Sequence, residues 1–298
     1  MTVVLDGGLA TALEARGHDL RDRLWSARLL VTDPDAIGDV HRAYFRAGAQ
    51  VATTASYQAT IPGFAAAGLD RAAALAAIRI SVTVARHARD EVAAERGVDP
   101  EGWLVAGSVG PYGAMLADGS EYRGDYDPGP VALRELHAPR MEALLEAGVD
   151  LLAMETIPTV REAEVLVALL DELGATGWLS YQCRDEGHTA AGEPIGDAVG
   201  LSDGIAGLVA VGVNCTAPRH VPGLLAAARD TTDLPLIAYP NGGDRWEAAV
   251  RRWVGHGADG GYDPGAVAAL ADDRVGWLGG CCGTGPVEIA ALAAAVRP

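Results

Sequence analysis

Short runs of apolar, mostly β-branched residues recur along the chain, each closing on Gly, Tyr, Ile, Asn or Cys. Alanine-rich stretches with a helical repeat separate most of them. Eight such runs stand at 3–8, 50–57, 103–110, 151–157, 177–183, 208–215, 234–241 and 275–282. Near-continuous apolar runs of this kind predict strands buried on both faces. The intervening pattern predicts helices over 35–48, 71–96, 131–148, 159–173, 218–230, 246–255 and 264–270. Strand and helix alternating in this way predict a parallel α/β sheet. Eight units within 298 residues fit a single (β/α)8 TIM barrel. An open doubly wound sheet is the lesser alternative, because DGGLAT rather than a dinucleotide-binding glycine fingerprint follows the first run. No linker interrupts the alternation, so one domain over 1–298 is expected. The irregular stretches 116–130 and 184–199 follow strand ends and are read as loops over one mouth of the barrel.

Composition narrows the chemistry. The chain has no lysine, so its basic side chains other than histidine are all arginine. That removes Schiff-base aldolases, pyridoxal phosphate enzymes and lysine-bearing phosphate loops. A net charge of −17 and a pI near 4.7 leave no basic stripe for nucleic acid, so a small-molecule substrate is expected. The start MTVVLDGG has no basic flank or cleavage site, and no apolar segment approaches membrane-spanning length. A cytoplasmic protein without a membrane partner is expected. Four cysteines are too few for a disulfide scaffold, which leaves free thiols or metal ligands.

In a barrel the carboxyl ends of the strands converge on one face. Here those ends read Asp6-Gly7-Gly8, 53–57, Glu155-Thr156, Asn214-Cys215 and GGCCG at 279–283. Cys281 and Cys282 are adjacent and would point to opposite sides of a regular strand; both reach one ion only if the backbone turns sharply, which the flanking glycines permit. Cys215 closes the sixth run and the pair closes the eighth, so three thiols can meet. Three sulfurs with a fourth position open is a catalytic zinc pattern, while a pair of buried cysteines packing as small hydrophobes is the rival. Cys183 is read as a core or rim cysteine.

These strand-end motifs resemble the homocysteine S-methyltransferase family over the whole chain. The resemblance rests on DGGLAT at 6–11, TTASYQAT at 53–60, ETI at 155–157, VGVNCT at 211–216 and GGCCGT at 279–284. It implies Cys215, Cys281 and Cys282 as ligands of Zn2+, and a homocysteine site with Asp6 and Glu155 near the ammonium group and the Gly7-Gly8 backbone close to the substrate. It also implies that Asn214 orients the ligand loop and that Tyr57 stands near the zinc. Many relatives carry CCRTTP where this chain has CCGTGP, so the support the arginine gives the loop must come from elsewhere.

The ligand set bears on the reaction. Three thiolates overcompensate the charge of zinc, which leaves it a weak Lewis acid and a bound substrate thiolate rich in electron density, suited to alkyl transfer. A barrel hydrolase would want histidines at strand ends, whereas the seven histidines fall mostly in helix or loop segments. A zinc-binding protein without turnover is the third reading. The segment YPNGGDRWE at 239–247 resembles the members that use S-methylmethionine more than those that use betaine. Trp25 aligns, by its spacing to Pro34, with a donor-site tryptophan of betaine users, and an indole face suits an onium methyl group. Asp244 and Glu247 are placed by the sequence near a mouth loop, where they would attract a cationic donor. S-Methylmethionine is the first expectation, S-adenosylmethionine the second and betaine the third; homocysteine or a selenium analogue is the acceptor. The oligomeric state is not legible in the sequence.

Overall fold

A computed structural model describes residues 2–243, 245–247, 252–255 and 261–296. The barrel strands are β1 (Val3–Val4), β2 (Val51–Thr53), β3 (Leu104–Val109), β4 (Leu151–Ile157), β5 (Gly177–Tyr181), β6 (Leu208–Asn214) and β7 (Leu236–Tyr239). After a short pair, β8 (Arg245–Glu247) and β9 (Arg252–Val254), comes the eighth barrel strand, β10 (Val275–Leu278). The order β1-β10-β7-β6-β5-β4-β3-β2 is parallel throughout, and a parallel bridge from Leu5 to Val51 closes the circuit. The expected (β/α)8 barrel is therefore the observed fold.

Each predicted strand is present, and most are shorter than the apolar run that announced them. β2 stops at Thr53, β5 at Tyr181, β6 at Asn214 and β10 at Leu278, each before the polar or sulfur-bearing residues that close its run. Those residues leave the ladder and turn over the barrel mouth. The helix Arg71–Arg96 has the predicted bounds, opened by an Asp70 cap on the Ala73 amide and closed by left-handed Gly97. Helices over Pro34–Ala47, Pro130–Glu146 and Val160–Glu172 shift by a residue or two. Within the predicted helix over 246–255, the described residues 246–247 and 252–254 are strand. β8 and β9 instead pair antiparallel with Trp246 in register with Trp253. Arg-Trp-Glu and Arg-Trp-Val alternate with a period of two and carry strand-favouring residues, and this local preference prevails over the helical spacing. A helix over Pro286–Val296 lies outside the predicted set.

The barrel interior is filled by Leu5, Val51, Ala106, Leu151, Ala153, Trp178, Ala210, Ile237 and Tyr239, drawn from the Leu5 bridge and β2 to β7. Alanine on three strands makes room for Trp178, which meets Trp277 at 6.1 Å and Tyr239 edge-on at 6.3 Å. This aromatic layer is the floor beneath the mouth. The larger core lies between strands and helices and includes Ile78, Leu144, Leu166, Leu179 and Leu224.

Close strand contact explains one glycine in particular. A Cβ on Gly212 would stand 2.0 Å from the Ile237 carbonyl oxygen, whereas one on Gly276 would meet nothing within 4 Å. Gly212→Ala should lower stability by about 1–3 kcal/mol, the usual range for overpacking, and Gly276→Ala should be close to neutral. Urea unfolding of both variants checks this; equal stability of the two would contradict the packing argument.

Candidate functional site

The three sulfurs are delivered by the ends of β6 and β10. Cys215, directly after β6, has a left-handed backbone with φ 48°, a conformation that costs a non-glycine residue about 1–3 kcal/mol and persists only where its surroundings enforce it. Those surroundings are visible. The Cys215 amide donates to the Tyr239 carbonyl at 3.1 Å, and Asn241 Nδ2 donates to the Cys215 carbonyl at 3.0 Å. Beyond β10, Gly280 donates to the Asp6 carbonyl at 3.1 Å, Cys281 to the Pro240 carbonyl at 2.8 Å, and Gly242 to the Cys282 carbonyl at 2.6 Å. A Cβ on Gly280 would meet Thr284 Oγ1 at 2.2 Å, so the loop folds this tightly only with glycine there. The turn that adjacent cysteines need is thus present, and the Sγ atoms of Cys215, Cys281 and Cys282 lie within 4.8 Å of one another. They form a possible metal site. Cys183 is buried with its sulfur against the Tyr181 carbonyl and is not part of the cluster.

At the position where relatives carry arginine, Gly283 adopts φ 81° and its amide donates to Thr11 Oγ1 at 2.8 Å. The buried Tyr44 hydroxyl donates to the carbonyls of Gly8 and Thr284 at 3.0 and 3.1 Å. Thr11 and Tyr44 supply the support that the sequence left unassigned. Gly7 and Gly8 serve the same packing: a Cβ on Gly8 would meet the Cys281 carbonyl at 2.7 Å, and its amide already donates to Thr284.

A cavity opens over the sulfurs. Asp6, Gly7, Gly8, Trp25, Tyr57 and Glu155 line it with all three cysteines. Asn214 does not. It is buried behind the wall, where Oδ1 accepts from the Thr156 amide at 2.7 Å and Nδ2 donates to Thr156 Oγ1 at 2.8 Å. Asp244 and the Glu247 side chain lie outside the described residues. Three of the four non-glycine residues with positive φ among the described residues, Trp25, Thr156 and Cys215, face this cavity. Strain is concentrated where ligands would sit.

Asp6 is 2% exposed and accepts from the Thr53 amide at 2.9 Å and the Thr53 hydroxyl at 3.0 Å. Burial raises its pKa well above the usual carboxylate range despite those bonds. Glu155 is held between Ser108 Oγ, which donates to Oε1, and Tyr239, whose hydroxyl donates to Oε2 at 3.1 Å. Burial, with the nearby Cys281 sulfur adding to it, pushes Glu155 up to about 7. Tyr239 is fixed in turn by the floor: Trp178 Nε1 donates to its hydroxyl at 2.9 Å, and Ser180 Oγ lies 2.7 Å away and donates to Asn214 Oδ1 at 2.9 Å. Ser108, Tyr239 and Tyr122 are cavity residues that the sequence reading missed. Tyr239 opens the YPNGGDRWE motif, and that was its available signal; Ser108 sits inside an apolar run and has none.

The thiols hydrogen-bond among themselves. Cys281 and Cys282 turn toward Cys215 and hold it well below the usual thiol range, and its thiolate in turn pushes Cys282 up. Such a cluster ionises fully only beside an added cation. Among the described residues no Arg or His lines the cavity, so neither the thiols nor the two carboxylates have a cationic side chain within it. Three soft sulfurs, two buried and one half-buried, fit a thiophilic divalent ion.

Fold and cavity together define a (β/α)8-barrel enzyme with a cysteine-rich site able to take a metal ion. The homocysteine S-methyltransferase family model matches residues 3–296. The homocysteine S-methyltransferase of Escherichia coli strain K12 is 48% identical and aligns over 98% of this chain and 94% of its own. A selenocysteine Se-methyltransferase from Brassica oleracea is 40% identical over 97% of this chain and 87% of its own. The metallated form of the homocysteine methyltransferase MmuM from Escherichia coli superposes with a TM-score of 0.85 at 46% identity, covering 98% of this chain and 96% of that one. The chain belongs to the homocysteine S-methyltransferase family and is a methyltransferase.

Because each sulfur supplies a large share of the coordination, Cys215→Ala, Cys281→Ala and Cys282→Ala should each lose most bound metal while the barrel stays folded. Cys183→Ala should keep it. Metal analysis with circular dichroism checks both halves, and full occupancy in all three variants would remove the site.

Proposed function

We propose that this chain, as one barrel domain, transfers a methyl group from a sulfonium donor to the thiol of homocysteine, giving methionine, with zinc held by Cys215, Cys281 and Cys282. The observation that carries the reading is the pairing of three convergent thiols with two buried carboxylates in a cavity that no basic side chain lines among the described residues. Zinc bound there would supply one thing, the removal of the substrate thiol's proton, so that sulfur attacks as thiolate.

The chain's own residues do the rest. Glu155, oriented by Ser108 and Tyr239, and Asp6, oriented by Thr53, accept the ammonium group of homocysteine. A ligand ammonium relieves the desolvation that burial imposes on both carboxylates. Asn214 and Asn241 keep the Cys215 turn in place from behind. Tyr57 and Trp25, edge to face at 6.1 Å, wall the approach and present ring faces to an onium group. In the transfer the sulfur lone pair forms the new S–CH3 bond as the sulfonium C–S bond breaks, and its electron pair leaves with a neutral thioether. No general acid is needed, so alignment and exclusion of water carry the rate.

S-Methylmethionine is the donor we place first, S-adenosylmethionine second and betaine third, on the likeness of YPNGGDRWE at 239–247 to S-methylmethionine users. The Brassica relative favours a second acceptor, a selenol, which would sit at the same site. Four free cysteines and the small-molecule chemistry suit a cytoplasmic enzyme. Among the described residues no helix is long and apolar enough to cross a membrane.

Methionine formation from homocysteine should be fastest with S-methylmethionine when the three donors are supplied at equal concentration. A clear preference for betaine would overturn the donor assignment, and no product with any donor would overturn the function. Glu155→Gln should raise the KM for homocysteine with metal content unchanged; an unaltered KM would reject its role. Trp25→Ala should weaken donor use by about 0.5–2 kcal/mol and spare homocysteine binding, as competition kinetics would read.

A further inference from the structure

Beside the thiol cavity lies a second, smaller hollow, walled by Leu20, Asp22, Trp25, Gln58, Glu121 and Tyr122. Trp25 and Tyr122 line both spaces, so the two meet at one pair of aromatic rings.

Two buried oxygens of the hollow have no hydrogen-bond partner. Glu121 is only 6% exposed, and its Oε2 has no hydrogen-bond partner. Gln58 is also buried; its Nε2 donates to the Ala114 carbonyl at 2.6 Å, which fixes Oε1 as an acceptor, and that oxygen has no partner either. Asp22 adds a second carboxylate at the exposed rim. Among the described residues no basic side chain lines the hollow. Burial pushes Glu121 up to about 7, with Asp118 adding to the shift and Arg123 opposing it. A buried acid with an unmade hydrogen bond costs stability, and chains tolerate that cost where a ligand removes it.

We infer that this hollow receives the α-ammonium group of the methyl donor, with Glu121 as its counter-charge and Gln58 Oε1 as a second acceptor. The inference rests on the sulfonium-donor reading and deepens it. An ammonium group brings N–H donors and one positive charge, which match two unfilled acceptor oxygens and one carboxylate. The sulfonium of the same molecule, a short carbon chain away, then lies at the shared Trp25 and Tyr122 rings facing the thiols. Betaine has no N–H and would leave both oxygens unfilled. The specificity follows: an amino-acid sulfonium is selected over a sulfonium acid that lacks the amine.

The test compares S-methylmethionine with its desamino analogue, the dimethylsulfonium of butanoic acid, in wild type and Glu121→Gln. Wild type should favour S-methylmethionine in kcat/KM by about tenfold to a hundredfold, the range for a hydrogen bond to a charged group. Glu121→Gln should lose most of that preference through S-methylmethionine alone, with the homocysteine KM and metal content unchanged and the thermal midpoint at pH 8 the same or higher. An equal fall with both donors, or an intact preference in the variant, would overturn the inference and leave the sulfonium reading standing. If wild type turns over no sulfonium donor, that reading fails and takes this one with it. Should Glu121→Gln not fold, equilibrium titration of wild type with the two sulfonium compounds decides: at least tenfold tighter binding of S-methylmethionine is expected, and equal affinity rejects the subsite.

Discussion

Negative charge without internal compensation is the constraint on which the mouth of this barrel depends. Three thiols, Asp6 and Glu155 line one cavity, and no Arg or His among the described residues joins them. Left alone, such a cluster protects itself by staying protonated: burial raises both carboxylates, and two of the thiols lend their protons toward Cys215. The positive charge therefore has to arrive with ligands. A divalent ion at the sulfurs and an ammonium at the carboxylates are the two that fit, and the nearby unfilled oxygens of Glu121 and Gln58 extend the same logic outward. On this reading the fold carries the cost of an anionic cavity so that cationic ligands are held where their charge is used.

Holding that cavity in shape falls to groups behind it. The Trp178 layer closes the barrel below and passes hydrogen bonds through Tyr239 to Glu155 and through Ser180 to Asn214. On the far side, Arg140 is fully buried and donates to the Gly110 carbonyl and, at 3.4 Å, to that of Tyr57. His137 bridges it to Glu162: Nδ1 accepts from Arg140 at 2.7 Å and Nε2 donates to Glu162 at 2.7 Å, the pattern of a neutral ring whose pKa burial lowers. Glu162 also takes the Tyr126 hydroxyl and the Tyr112 amide, so one buried network ties the Tyr57 turn to the loop that carries Glu121 and Tyr122.

Much of this was legible in the sequence, because a parallel barrel writes itself as apolar runs that stop abruptly at its active face. Those stops exposed Asp6, Glu155, Cys215, Cys281 and Cys282, and the glycines beside the cysteine pair announced the turn that brings the sulfurs together. What stayed hidden has a common cause. Ser108 and Trp178 lie within strands, where a residue facing the interior is indistinguishable from its neighbours without knowledge of what stands across the barrel. Arg140 and Glu162 sit on helices and read there as ordinary surface charges, although both are buried. Trp246 and Trp253 are compatible with either a helical or an alternating period, and the pairing of their strands, a property of two segments together, decided the outcome.

We propose that the three cysteines hold zinc with one position left for the substrate's sulfur. X-ray absorption at the metal edge, recorded on the metallated enzyme with and without homocysteine, tests it directly. A shell of three sulfurs and one lighter atom that becomes four sulfurs when homocysteine is added is the expected result; a shell that does not change, or one that contains fewer than three sulfurs at the outset, would contradict the account.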